Sequence, residues 1–89
     1  MNKVLFTGDS WEHYLYWQIQ DKKTSKRINE LIKDISRNGN DDIGNPEPLK
    51  GDLSGWWSRR RIDDANRLVY RINNEVVEIL QCKGHYEDR

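Results

Sequence analysis

Three segments in the second half of the chain carry side chains able to break a phosphodiester without a metal. They are Asn45-Pro46-Glu47-Pro48-Leu49-Lys50, then Trp57-Ser58-Arg59-Arg60-Arg61-Ile62 with Asn66-Arg67-Leu68-Val69-Tyr70, and finally Gly84-His85-Tyr86. Such a reaction needs a base to take a proton, a fixed positive charge for the charge that develops on phosphorus, and an acid to protonate the leaving oxygen. Glu47, Arg67 and His85 are of the right types for these three posts, and Tyr86 offers a hydroxyl for phosphate or a ring for a base to stack on. Lys50 and Arg59, Arg60 and Arg61 add basic groups for RNA contact. RNA brings its own nucleophile, the 2′-hydroxyl, so neither metal nor cofactor is expected. Asp41-Asp42 in a loop, with one histidine elsewhere, is too weak a pattern for a cation site and reads as solvated.

The elements that must position these residues follow from periodicity. Val4-Leu5-Phe6 is a short β-type run ending at Thr7-Gly8, and Asp9 followed by Glu12 has the spacing of a capping box. Trp11, Tyr14, Leu15 and Ile19 then recur at helical spacing. After the polar break at Asp21-Lys22-Lys23, Ile28, Leu31, Ile32 and Ile35 recur at i, i+3, i+4 and i+7, predicting a second amphipathic helix and so an antiparallel helical hairpin. Asn38-Gly39-Asn40 closes it, and a polar loop runs through Asn45-Pro46. Trp56 to Ile62, Leu68 to Ile72 and Val76 to Cys82 read as strands joined by turns at Asp63-Asp64 and Asn73-Asn74, an antiparallel meander. Alternation puts Leu68, Tyr70 and Ile72 against the helices, with Arg67, Val69 and Arg71 facing a groove or solvent. The expected fold class is α+β, two helices on one face of a small, mainly antiparallel twisted sheet.

At 89 residues the chain has room for one domain, residues 1–89, with a small core. Fifteen Lys plus Arg balance fifteen Asp plus Glu, so overall charge does not argue for a nucleic-acid partner. The distribution does: from Lys50 to Arg71 six basic residues stand against Asp52, Asp63 and Asp64. One cysteine, Cys82, excludes an internal disulfide and fits a reducing compartment; with no apolar run long enough for a signal or a membrane span, the cytoplasm is the expected location. His13 and the Trp11, Tyr14, Trp17 group have structural readings, the aromatic group as core or dimer interface.

Taken in order, the motifs resemble the YoeB-type toxins of the RelE superfamily. The likeness runs through Ser10-Trp11, Tyr14-Leu15-Tyr16-Trp17, Ile28-Asn29-Glu30-Leu31-Ile32-Lys33-Asp34, Pro46-Glu47-Pro48-Leu49-Lys50, Leu53-Ser54-Gly55, Trp57-Ser58-Arg59-Arg60, Arg67-Leu68-Val69-Tyr70 and His85-Tyr86. The resemblance implies a RelE-like fold and the toxin half of a type II toxin–antitoxin pair. It also implies an endoribonuclease that cuts mRNA in the ribosomal A site, a homodimer, and a YefM-type antitoxin partner through which alone operator DNA is bound. By motif it assigns catalysis to Glu47, Arg67, His85 and Tyr86. The alternative is an attenuated toxin fold acting mainly as an antitoxin-binding co-repressor.

This chain departs from the family pattern at three places. A third arginine in Arg59-Arg60-Arg61 predicts a bulge. Ala65-Asn66 stands where Glu-His usually precedes the arginine, which predicts an Arg67 short of a partner. The chain also runs on through Glu87-Asp88-Arg89.

Overall fold

The computed structural model describes residues 3–39, 46–59 and 62–84, with Arg59 described by its backbone alone. Four strands form the antiparallel part of one sheet: β2 (Glu47–Pro48), β3 (Trp57–Arg59), β4 (Leu68–Asn73) and β5 (Val76–Gln81). The N-terminal strand β1 (Lys3–Phe6) joins it in parallel against β5, giving the order β1-β5-β4-β3-β2. Three antiparallel ladders and one parallel ladder make the sheet mainly antiparallel, as expected. The strand expected from Trp56 to Ile62 is shorter, and Glu47–Pro48 pairs where a loop was expected.

Two helices connect β1 to the rest: α1 (Ser10–Gln20) and α2 (Lys22–Asn38). Asp21 alone separates them and serves both, its N–H donating to the Trp17 carbonyl while its carboxylate caps α2 by accepting from the N–H groups of Lys23 and Thr24. The hairpin is antiparallel, since Tyr14 Oη donates to Asn29 Oδ1 at 2.7 Å and Gln18 Nε2 to Ser25 Oγ at 2.6 Å. Gly39 ends α2 at φ +62°, where glycine carries no Cβ penalty, and its N–H reaches the Ile35 carbonyl. Asp9 stands at the N-terminus of α1 but makes no side-chain cap, unlike the expected box. The start of α1 is anchored by Ser10 instead: fully buried, it donates to the Ile79 carbonyl at 2.8 Å.

Ile28, Leu31 and Ile35 of α2 pack with Leu68, Tyr70, Val77, Ile79 and Cys82 in the core between helices and sheet, and Ile32 lies partly buried against it. A bulge on the β4–β5 ladder at Val69/Tyr70 sets the register, with Tyr70 opposite Ile79 and Val69 opposite Gln81. It explains how Ile79 and Cys82, three apart, both enter the core: strict alternation would send one of them to the other face. Val69 departs from expectation in being fully buried on its own face, while Ile72 is 37% exposed.

Candidate active site

Across the sheet face opposite the core, Glu47 pairs with Ser58, Ser58 with Val69, and Val69 with Gln81, so one row crosses four strands. Paired residues share a face. Glu47 is thereby held on an edge strand with its side chain exposed. The strand is set by a tight hairpin: the Leu49 N–H donates to the Trp56 carbonyl, and a 3-10 turn at Gly51–Leu53 carries the chain back to β3. Lys50 opens that turn and is exposed.

Arg67 lies two residues before Val69, one step along the same face. Its N–H donates to the Gly84 carbonyl at 3.1 Å, carrying the sheet pattern on to the residue just before His85. The guanidinium is not short of partners, contrary to the expectation drawn from Ala65-Asn66. Its Nη1 donates to the carbonyls of Asp63 at 3.1 Å, Asn66 at 3.3 Å and Asp64 at 3.4 Å. A loop of backbone oxygens does the work that a carboxylate was expected to do, and these bonds use only Nη1 of a guanidinium that carries five N–H donors.

The loop owes its shape to Asp63, whose carboxylate accepts from the N–H groups of Ala65 and Asn66 at 2.8 and 2.9 Å and from the Asn66 side chain at 2.9 and 3.0 Å. Desolvation, the largest single influence, acts to raise the Asp63 pKa, but these hydrogen bonds and the Arg67 charge together hold it below the ordinary carboxylate value. Asn66 Oδ1 in turn accepts the Gly84 N–H at 2.7 Å, and Gln81 Nε2 donates to the Gly84 carbonyl at 2.7 Å.

The other side of the segment leading to His85 is held by α1. Cys82 N–H donates to His13 Nδ1 at 3.3 Å, and Trp17 Nε1 donates to the Cys82 carbonyl at 2.8 Å. Burial, then the nearby Lys83 charge, lowers the His13 pKa against the opposing pull of Asp9 and Glu12. The structural reading of His13 therefore has a definite object, the backbone of Cys82. The Cys82 thiol is pushed up to about 12 by burial, so it is no nucleophile at neutral pH.

Among the sequence-derived site residues, Glu47, Lys50 and Arg67 stand on described backbone and side chain, and Arg59 contributes its pairing with Leu68. Arg60, Arg61, His85 and Tyr86, the Asp41-Asp42 pair and the Glu87–Arg89 extension lie outside the described residues. Arg71, counted with the basic face, is engaged: its Nε meets Glu78 Oε1 at 2.6 Å and its guanidinium lies 4.3 Å from the centre of a Trp56 ring. Sequence reasoning missed Asn66 and Gln81. Asp63 followed by Asn66 is an Asx-turn spacing that signals the loop, though nothing local points to Gly84.

The sheet order and the two-helix cover define the class: an α+β toxin fold of the RelE type. At TM-score 0.89 the structure matches a YoeB/ParE toxin from Agrobacterium tumefaciens, 42% identical and covering 94% of this chain and 99% of that one. It also matches a YoeB-YefM toxin–antitoxin heterotetramer (TM-score 0.87, 45% identical, 97% of this chain, 99% of that chain) and a YoeB dimer (0.85, 45%, 96%, 98%), both from Staphylococcus aureus. In sequence, toxin YoeB of Streptomyces coelicolor is 51% identical over 94% of this chain and 99% of its own length. The profile of the YoeB-like toxin of bacterial type II toxin-antitoxin systems matches residues 6–86. The chain belongs to that family and is the toxin component of such a pair.

Proposed function

We propose that the chain is a ribosome-dependent mRNA endoribonuclease that cuts within the A-site codon and so stops translation in the cytoplasm. In this reading Glu47 takes the proton of the 2′-hydroxyl as its oxygen attacks phosphorus. Arg67 neutralises the non-bridging oxygens, with Tyr86 as a further phosphate or base contact. As the bond from phosphorus to the 5′-oxygen breaks, His85 donates a proton to that oxygen. The products carry a 2′,3′-cyclic phosphate and a 5′-hydroxyl, and the balance closes without metal or cofactor. Lys50 and Arg59 to Arg61 serve as basic contacts to the RNA backbone.

The observation that supports the reading is the placement of Glu47 and Arg67 on neighbouring rows of one sheet face, with the Arg67 N–H bonded to the Gly84 carbonyl and its guanidinium oriented by backbone carbonyls. The co-repressor alternative rests on Ala65-Asn66 and on the extra arginine of Arg59-Arg60-Arg61; the carbonyl loop around Arg67 speaks against the first of these. The resemblance to the Staphylococcus aureus assemblies supports a homodimer and a YefM-type antitoxin partner, and in this reading operator DNA is reached only through that antitoxin.

Primer extension on a defined mRNA, with purified chain and with or without programmed ribosomes, tests the proposal. The expected result is a cut within the A-site codon and near-intact RNA when ribosomes are omitted, since orientation alone contributes on the order of 7–11 kcal/mol in favourable cases. Equal cleavage of free RNA would remove the ribosome from the mechanism. No cleavage in either arm would remove the nuclease.

A further inference from the structure

We infer that Asn66 is a positioning residue, coupling the turn that holds Arg67 to the backbone from which His85 departs. The inference rests on the nuclease reading and adds to it a side chain outside the family's catalytic set. Asn66 Nδ2 donates to both oxygens of the Asp63 carboxylate and Oδ1 accepts the Gly84 N–H at 2.7 Å, across 18 positions of sequence. Only one orientation of the amide satisfies both sides, because a flip would set oxygen against carboxylate and NH2 against N–H.

The consequence falls on Gly84. Its N–H, in the peptide plane before it, is held by Asn66; its carbonyl, in the plane leading to His85, is held by the Arg67 N–H and by Gln81 Nε2. With both flanking planes anchored, the two dihedrals of Gly84, the residue that precedes His85 in sequence, are constrained. Its φ of +86° is one that glycine adopts freely, and an added Cβ would meet nothing closer than 3.9 Å, so conformation and not space requires glycine here. Removing the Asn66 amide frees one plane and leaves the carbonyl loop around Arg67 in place. Its effect should therefore act through His85.

Single-turnover cleavage on programmed ribosomes by wild type, Asn66→Ala, His85→Ala and the double variant tests this. Asn66→Ala should slow the wild-type background by roughly tenfold or more and the His85→Ala background by less than about twofold, with the half-saturating concentration nearly unchanged. Equal slowing in both backgrounds is the signature of a merely structural role and overturns the inference. Asn66→Asp should be as slow as the alanine variant, since two carboxylates then face each other. Adding Asp63→Asn reverses the donor and acceptor and should bring the rate back to within about threefold of wild type. Failure of that rescue overturns the inference even if Asn66→Ala folds poorly. A wild-type chain that cuts while Asn66→Ala cuts equally well defeats the inference alone, whereas a wild-type chain that never cuts defeats the nuclease reading first.

Discussion

Arg67 and Glu47 differ in how they are held, and that difference sets what their substitution should do. Glu47 is exposed on an edge strand, so truncation opens no cavity. Glu47→Ala is expected to unfold at nearly the wild-type temperature while losing most single-turnover cleavage, and a near-wild-type rate would exclude it as the base. Arg67 sits in a loop of three carbonyls that one ammonium cannot serve while also presenting a planar pair of donors to phosphate. Arg67→Lys should therefore slow cleavage by more than about tenfold with the fold retained. The measurement is the same single-turnover assay, read beside thermal unfolding of each variant.

At the scale of elements, two junctions lend themselves to test. The β4–β5 hairpin turns through Asn74 and Glu75 alone, at φ +50° and +64°, with Asn73 paired to Val76. Two consecutive positive φ values suit an Asn-Gly turn, and a glutamate there is strained. Glu75→Gly should raise stability by about 0.5–1 kcal/mol, seen as a higher urea midpoint with an unchanged slope. The second junction is the grip of α1 on Cys82 through His13. Because folding lowers the His13 pKa, the unfolded chain holds more protons between the folded value and 6.5. The contribution is thus complete above about pH 6.5 and is lost as pH falls through the folded value. Wild type should lose stability as pH falls below about 6.5, and His13→Asn, which keeps an acceptor near the Nδ1 position, should flatten that part of the profile. An unchanged slope in the variant would assign the pH dependence to other groups.

Over the whole molecule, the core is closed by residues from opposite ends of the chain, β1 against β5 and α1 against Cys82. Cys82 is fully buried and its thiol is raised to about 12, so alkylation requires opening of this closure. At about pH 8 the native chain should react with iodoacetamide far more slowly than the urea-unfolded chain, and the rate should track global stability across variants. Rapid labelling of native protein would show instead that the segment after β5 opens locally.

Much of this molecule is local enough to be read along the chain. The 28, 31, 32, 35 spacing of α2 determines a buried helical stripe whatever it packs against, and the ordered motifs ending in Arg67-Leu68-Val69-Tyr70 and His85-Tyr86 identify the family and nominate the acid, base and cation. Other features depended on partners far away in sequence. The parallel pairing of β1 with β5 joins residues more than sixty positions apart, and no periodicity within Lys3–Phe6 specifies it. The bulge opposite Val69/Tyr70 re-aims the end of β5, so that Cys82 enters the core, and Val69, still on the face that alternation gives it, is buried there. The support of Arg67 was misjudged for the same reason. Counting side chains before Arg67 finds only Ala65 and Asn66, because backbone carbonyls, which every residue carries, leave no trace in composition. Only the turn that Asp63 closes on the N–H groups of Ala65 and Asn66 decides that those carbonyls converge on one guanidinium.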